Sequence, residues 1–283
     1  MIASPPPIHL GRASGVRSLP PFSPVACRLV QLITDDKAHF REIAQVFALD
    51  AALSSQVLRV ANSALLGCRY EVASILKAVL VVGADRLRNI AVTVAMKNYL
   101  GEGDSAFLHR CWRHNLATAL WSEALVEYFD VEPSIAYAAG MLHDIGRIAL
   151  LMLFPHDYAA FLDHTLTVNL DKREAERKLC DADHCQIGHN LSNAWNFPST
   201  LVDVIACHHD EVTAATPASR LLVQAACTAA SISGFHTVGP RQEWDPACIA
   251  SLLPRGRSTS GPNYENLLDT VALKLNQTEC TLL

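Results

Sequence analysis

From Pro24 onward the apolar residues of this chain recur at three- and four-residue intervals, and the alternation of a half-buried strand is nearly absent. A helix with one apolar stripe must bury it against another element, so a chain of such segments is confined to helical packing. VACRLVQLI and FREIAQVFAL open the pattern. Asp50 can cap AALSSQVLRVANSALL, with Gly67 as its stop, and Ser74 can cap a short helix to Val82, where Gly83 breaks the chain. Asp85 opens DRLRNIAVTVAMKNYL, which ends at Gly101. These segments predict a first bundle of about five helices.

Gly101-Glu102-Gly103-Asp104 marks a hinge, after which helices are expected near 105–129, 134–143, 147–153, 156–167, 172–180, 185–195, 199–209 and 217–233. Pro133, Pro155, Pro198 and Pro217 stand near helix starts, where a missing N–H does no harm, and Asp171 with Glu174 forms a D-x-x-E cap. The expectation is an all-α protein in two helical lobes. Residues 1–18 read as a flexible lead-in, and 236–262 return to loop composition with PRGRSTSGP as a linker. In the last segment, YENLLDTVALKLNQ, Leu267, Val271, Leu273 and Leu275 are placed to dock on a neighbour.

A chain of 283 residues with half its residues hydrophobic can bury a sizeable core. Its longest apolar runs, AVLVVGA and IALLMLF, have seven residues, too few to cross a bilayer. Without a basic-then-apolar leader the expected location is cytoplasmic. Nine scattered cysteines lacking a CxxC read as reduced thiols, which excludes a Cys-rich zinc ribbon. A net charge of −5 argues against a protein built to grip nucleic acid. FREIAQVFALDAALSSQVLRVA has a helix-turn-helix outline, but any bundle has that outline.

GMLHDIGR, 140–147, carries the chemistry. His143 and Asp144 are adjacent, and adjacent side chains on a helix point about 100° apart. Both reach one target only at a helix end or bend, and Gly146 is a plausible bend. An imidazole and a carboxylate converging on one point suit a divalent ion such as Zn, Mn or Fe; the plainer alternative is a half-buried His beside an Asp cap. Further histidines lie on separate predicted helices: His114 upstream, then His184, then the adjacent His208 and His209. A helical bundle builds metal sites this way, with ligands projecting inward from facing helices. His9, His39, His109, His156, His164, His189 and His236 show no evident partners.

VLRVANSALLG (57–67), SILKAVLVVGADRLRNIAV (74–92), RHN (113–115), AAGMLHDIGRIALL (138–151), DADHCQIG (181–188), WNFP (195–198) and the His208-His209 pair occur in an order that resembles the HDOD family, a branch of the HD superfamily related to HD-GYP proteins. That resemblance spans 19–235. It implies an N-terminal helical lobe (19–101) packed on an HD-type helical core (105–235), with 236–283 as a C-terminal extension carrying a short helix. It also implies a metal set of His114, His143, Asp144, His184, His208 and His209. The superfamily's hydrolases add a late Asp, where this chain has Cys227, and no aspartate lies between Asp210 and Asp245. A thiolate prefers zinc or iron to harder ions, so Cys227 either completes a different metal shell or is an inert buried thiol. The Gly-Tyr-Pro that follows the His pair in cyclic-dinucleotide phosphodiesterase relatives is also missing from HHDEVTAATPASR. The expected function is therefore regulatory and non-catalytic, through a signalling protein partner or a small ligand such as a nucleotide. The alternative is a metal-dependent phosphohydrolase acting on a nucleotide or phosphate ester. DNA binding and membrane association are disfavoured.

Overall fold

A computed structural model describes residues 19–32, 40–63, 71–101, 105–167, 171–239, 242–254 and 261–282. The expected lead-in 1–18, the stop at Gly67, the hinge beyond Gly101 and most of the 254–262 linker lie outside the described residues. Fifteen α-helices and no strand occur among those described. The first five are α1 (Pro24–Gln31), α2 (Phe40–Phe47), α3 (Ala51–Ala61), α4 (Ile75–Val82) and α5 (Ala84–Tyr99). Then come α6 (Ala106–Leu125), α7 (Pro133–Leu142), α8 (Ile145–Leu153), α9 (Asp157–Thr165), α10 (Lys172–Cys180), α11 (His184–Ala194), α12 (Ser199–Cys207) and α13 (Ala218–Ala230). The chain closes with α14 (Pro246–Ala250) and α15 (Tyr264–Leu282).

Side-chain caps set many of the starts. Asp50, Ser74, Ser105 and Asp171 each accept a backbone N–H of the first turn, and Asp183 with Gln186 forms a full capping box on α11. Two buried clusters follow. Leu29, Phe47, Leu53, Val57 and Leu87 belong to the one between α1 and α5, while α6 to α15 share the other. Helix α5 serves both, giving Leu87, Ala91 and Val94 to the first cluster and Val92, Ala95, Met96 and Tyr99 to the second. An aromatic group fastens the junction: Phe22 lies 5.1 Å from Trp195 and 5.6 Å from Tyr99 between ring centroids. This is an N-terminal helical bundle packed on a larger helical core.

Helix α6 is the central rod, with Trp112, His114 to Ser122 and Leu125 buried. Helices α7 and α13 flank it, and α7 comes so near that a Cβ on Gly140 would sit 2.7 Å from the Ala119 Cα. The C-terminal region departs from expectation. The last helix has 19 residues rather than being short, and α14 interrupts the stretch expected to be loop. Val271 and Leu275 of α15 are buried, whereas Leu273 is exposed because it falls on the far side of the helix. Glu279 pairs with Arg113 at 2.7 Å and with His109 at 3.5 Å, which gives His109 a partner the sequence did not reveal. Among the described residues, Pro133–Leu153 is long and apolar enough to cross a membrane, but 89% of its most apolar 18-residue window is buried inside the protein, and it is broken between α7 and α8.

Candidate metal centre

Helix α7 stops at Leu142 and α8 starts at Ile145; Asp144, at φ −104° and ψ 23°, makes the joint between them. That break turns His143 and Asp144 toward one space. Gly146 is not the bend. It lies inside α8, where a Cβ would meet the His184 carbonyl oxygen at 1.8 Å and the Gly188 nitrogen at 2.6 Å. Glycine is required there because α8 and α11 touch backbone to backbone, bringing His184 against Asp144.

All six expected residues share one cluster. Ring centroids run from His114 to His143 at 5.3 Å, His143 to His208 at 5.0 Å, His208 to His184 at 5.5 Å and His208 to His209 at 4.2 Å. The ligand-capable atoms fall into two sets, each with its members within 4.8 Å of one another: Asp144, His184, His208 and His209, and separately His114, His143 and Cys227. His209 is exposed at the mouth; the other five of the expected six are buried.

Four imidazoles are held in the same sense. The Nδ1 of His114 meets the Phe235 carbonyl at 2.7 Å, that of His143 the Gly140 carbonyl at 2.8 Å, and that of His208 the Ile205 carbonyl at 3.2 Å. His184 Nδ1 meets the Glu176 carboxylate at 2.5 Å. A carbonyl or carboxylate oxygen only accepts, so each Nδ1 donates; the Nε2 atoms of His114, His143 and His208 are left facing inward, while that of His184 also lies 3.2 Å from Arg147 Nη2. Of these, His143 Nε2 and His208 Nε2 are buried without a hydrogen-bond partner, as is Asp144 Oδ1. Buried polar atoms are normally satisfied, so three orphans in one space fit a divalent ion.

Arg147 and Glu176 were not among the expected site residues. Arg147, 1% exposed, donates from Nε to Asp144 at 2.8 Å and from Nη1 to Glu176 at 2.9 Å and Tyr158 at 3.2 Å. Arg147 stands three residues after Asp144, on the same helical face, a spacing the sequence displays. Glu176 has no such signal, since α10 reads KREAERKLC and only the fold tells its inward carboxylate from its outward ones. Burial would raise the Asp144 pKa, but Arg147 beside it, then His184, hold it well below the usual carboxylate range. Burial would likewise raise Glu176, yet His184 and Arg147 bring it down to about 2. His184 goes the other way: burial and Arg147 oppose protonation, and Glu176, Cys185 and Asp144 carry it up to about 10. Without an ion, protonated His184 and Arg147 thus balance Asp144 and Glu176; a bound ion would take the place of the His184 Nε2 proton. Burial pushes His114 down to about 4 and His143 well below its ordinary value, so both are neutral, as a ligand must be.

His114, Asp144, His208 and His209 of the cluster line a pocket of about 570 Å³ whose wall also includes Lys172, Gln224, Cys227, Thr228 and His236. His236 stands in that wall, half-buried. Arg173 bridges Asp183, the cap of α11, and Asp210, just past His209, which pins two of the contributing segments together.

The HDOD domain family profile matches residues 19–211. The chain belongs to the HDOD family. An HDOD domain protein of unknown function from Geobacter sulfurreducens superposes with a TM-score of 0.72 at 20% identity, over 95% of this chain and 94% of that one. A Shewanella amazonensis protein provisionally named a phosphohydrolase gives 0.70 at 22% identity, over 95% and 96%. One from Marinobacter aquaeolei, provisionally named for signal transduction, gives 0.72 at 21%, over 93% of this chain and 59% of that one. An uncharacterised Treponema pallidum protein is 22% identical over 200 residues, 70% of this chain; the HDOD chain here spans 39% of that relative's length. These likenesses establish a shared fold. Cys227 and Phe235 lie beyond the matched HDOD range.

Proposed function

We propose that this HDOD protein is a signalling module whose pocket holds a divalent ion (Zn, Mn or Fe) and binds a small anionic ligand without hydrolysing it. One observation carries this: Asp144 is the only carboxylate in the two ligand sets, and Arg147 occupies one of its oxygens. Paired hydrolytic metals are commonly held by several carboxylates, which offset the ions' charge and bridge between them. Here the remaining donors are imidazoles and one thiol. When bound, the ion would supply a fixed positive charge to the pocket floor. Lys172 adds positive charge on the wall and Gln224 a hydrogen-bonding amide, which suits a phosphate-bearing ligand such as a nucleotide. Occupancy would then be relayed to a protein partner. Hydrolysis has one feature in its favour, a solvent-reached pocket of nucleotide size lined by His114 and His208, whose Nε2 atoms face inward. The test is elemental analysis of chelator-free protein, followed by a screen of nucleotides and phosphate esters with added Mn, Fe or Zn. Stoichiometric metal with nucleotide binding and no turnover is expected. Metal-dependent turnover abolished by His143→Ala would overturn non-catalytic signalling, and absence of bound metal would overturn the metal site.

A further inference from the structure

Cys227 projects from α13 toward α6, and its Sγ lies 3.5 Å from His114 Nε2. It is half-buried and unbridged, and it faces the pocket. Across from it, His143 Nε2 is buried with no hydrogen-bond partner. The ligand-capable atoms of these three residues lie within 4.8 Å of one another. The free oxygen of Asp144 belongs to the other set: Oδ1 lies 3.4 Å from His184 Nε2 and 3.7 Å from His208 Nε2. The two halves therefore differ in chemistry. One offers nitrogen and a carboxylate oxygen; the other offers two nitrogens and a sulfur.

We infer that His114, His143 and Cys227 form a thiolate-containing centre of their own that selects a borderline-soft divalent ion, of the zinc and cobalt class, over magnesium or manganese. Neutral imidazoles alone place no negative charge beside the ion. The thiolate supplies one, and sulfur donors favour zinc over the hard ions that prefer oxygen. Binding converts Cys227 S–H to a metal-bound thiolate and releases its proton to solvent, with no change of oxidation state. Three protein donors leave further positions on the ion, and His114 and Cys227 both line the pocket from which a fourth donor would come. The inference rests on the metal-holding part of the proposed function, and it adds the identity of a sulfur ligand and the selectivity that follows.

Anaerobic titration of the full chain with cobalt(II) tests it by absorbance. Visible ligand-field bands report bound metal, and a near-ultraviolet thiolate-to-cobalt charge-transfer band reports sulfur ligation. Both are expected in the wild type. Cys227→Ser should lose the charge-transfer band and bind zinc at least about tenfold more weakly, while circular dichroism stays native. Cys227→Asp should also lose the band and gain manganese affinity relative to zinc. Ligand-field bands without charge transfer in the wild type would overturn the sulfur ligand while leaving a metal site standing. A charge-transfer band that survives in Cys227→Ser would assign the sulfur to another of the nine cysteines and also overturn it. No bound cobalt at all would overturn this centre and the metal site together.

Discussion

Replacing Glu176 with glutamine keeps the side chain's volume and removes one buried charge. The carboxylate is fully buried and accepts four hydrogen bonds: Arg147 Nη1 at 2.9 Å and Tyr158 Oη at 2.6 Å on one oxygen, His184 Nδ1 at 2.5 Å and His184 N at 3.0 Å on the other. An amide nitrogen cannot accept, so two of those donors lose their partner whichever way the glutamine turns. Each orphaned donor costs about 1–3 kcal/mol. Breaking a buried ion pair from one side costs about 3–5 kcal/mol, and the two figures describe overlapping losses, so the sum stays near 3–5 kcal/mol. For a protein of this size that lowers the melting temperature by roughly 10 °C. The same change frees the His184 ring, and loss of an outer carboxylate partner weakens metal binding by about 10- to 100-fold. Differential scanning fluorimetry and metal titration read the two effects. Glu174→Gln is the control on the same helix; its partner Lys178, 2.6 Å away, and Glu174 itself are exposed, so the melt should not move measurably. A Glu176→Gln protein that melts with the wild type at pH 7 would refute the idea that this carboxylate neutralises Arg147 and His184.

Gly146→Ala should unfold the core or lower its melting temperature by more than Glu176→Gln, because the clash is with the α11 backbone and no rotamer relieves it; a stable variant with native metal content would contradict the close approach. Acid should destabilise the protein in a defined window. Glu176 titrates near 4.5 when unfolded and about 2 when folded, so the unfolded state takes up more protons between those values. Its contribution is in place above pH 4.5 and is lost as pH falls toward 2, and Glu176→Gln should flatten that limb of a melting-temperature profile. Leu275→Ala on α15 should cost about 2–5 kcal/mol if that helix is part of the core; limited proteolysis with an unchanged melting temperature would show it is not. Trp195→Ala should loosen the junction between the two buried clusters, read as a split of one unfolding transition into two.

Much of the helix plan was open to reading in the chain. The expected 172–180 and the observed Lys172–Cys180 coincide, and other second-half boundaries mostly differ by a few residues, because capping residues, prolines and apolar spacing act locally. Ser74 and Gly83 bound α4 as their chemistry requires. The six residues that the family resemblance implied as a metal set do lie in one cluster, although spacing along the chain did not require them to meet. Gly146 was misread: its φ is ordinary, and its constraint comes from α11, a segment about forty residues away in sequence.

Helical class, family and the list of histidines follow from local patterns and their order along the chain. Which nitrogen of His114, His143 and His208 faces inward is a matter of packing, because the carbonyls of Phe235, Gly140 and Ile205 fix that choice by position. Packing also brings Arg147 and Glu176 into the site and divides the ligand-capable atoms into a carboxylate half and a thiol half. Charge balance in a buried space depends on which groups lie within a few ångströms of one another, and residues as far apart as His114 and Cys227 acquire that distance only when α6 and α13 pack.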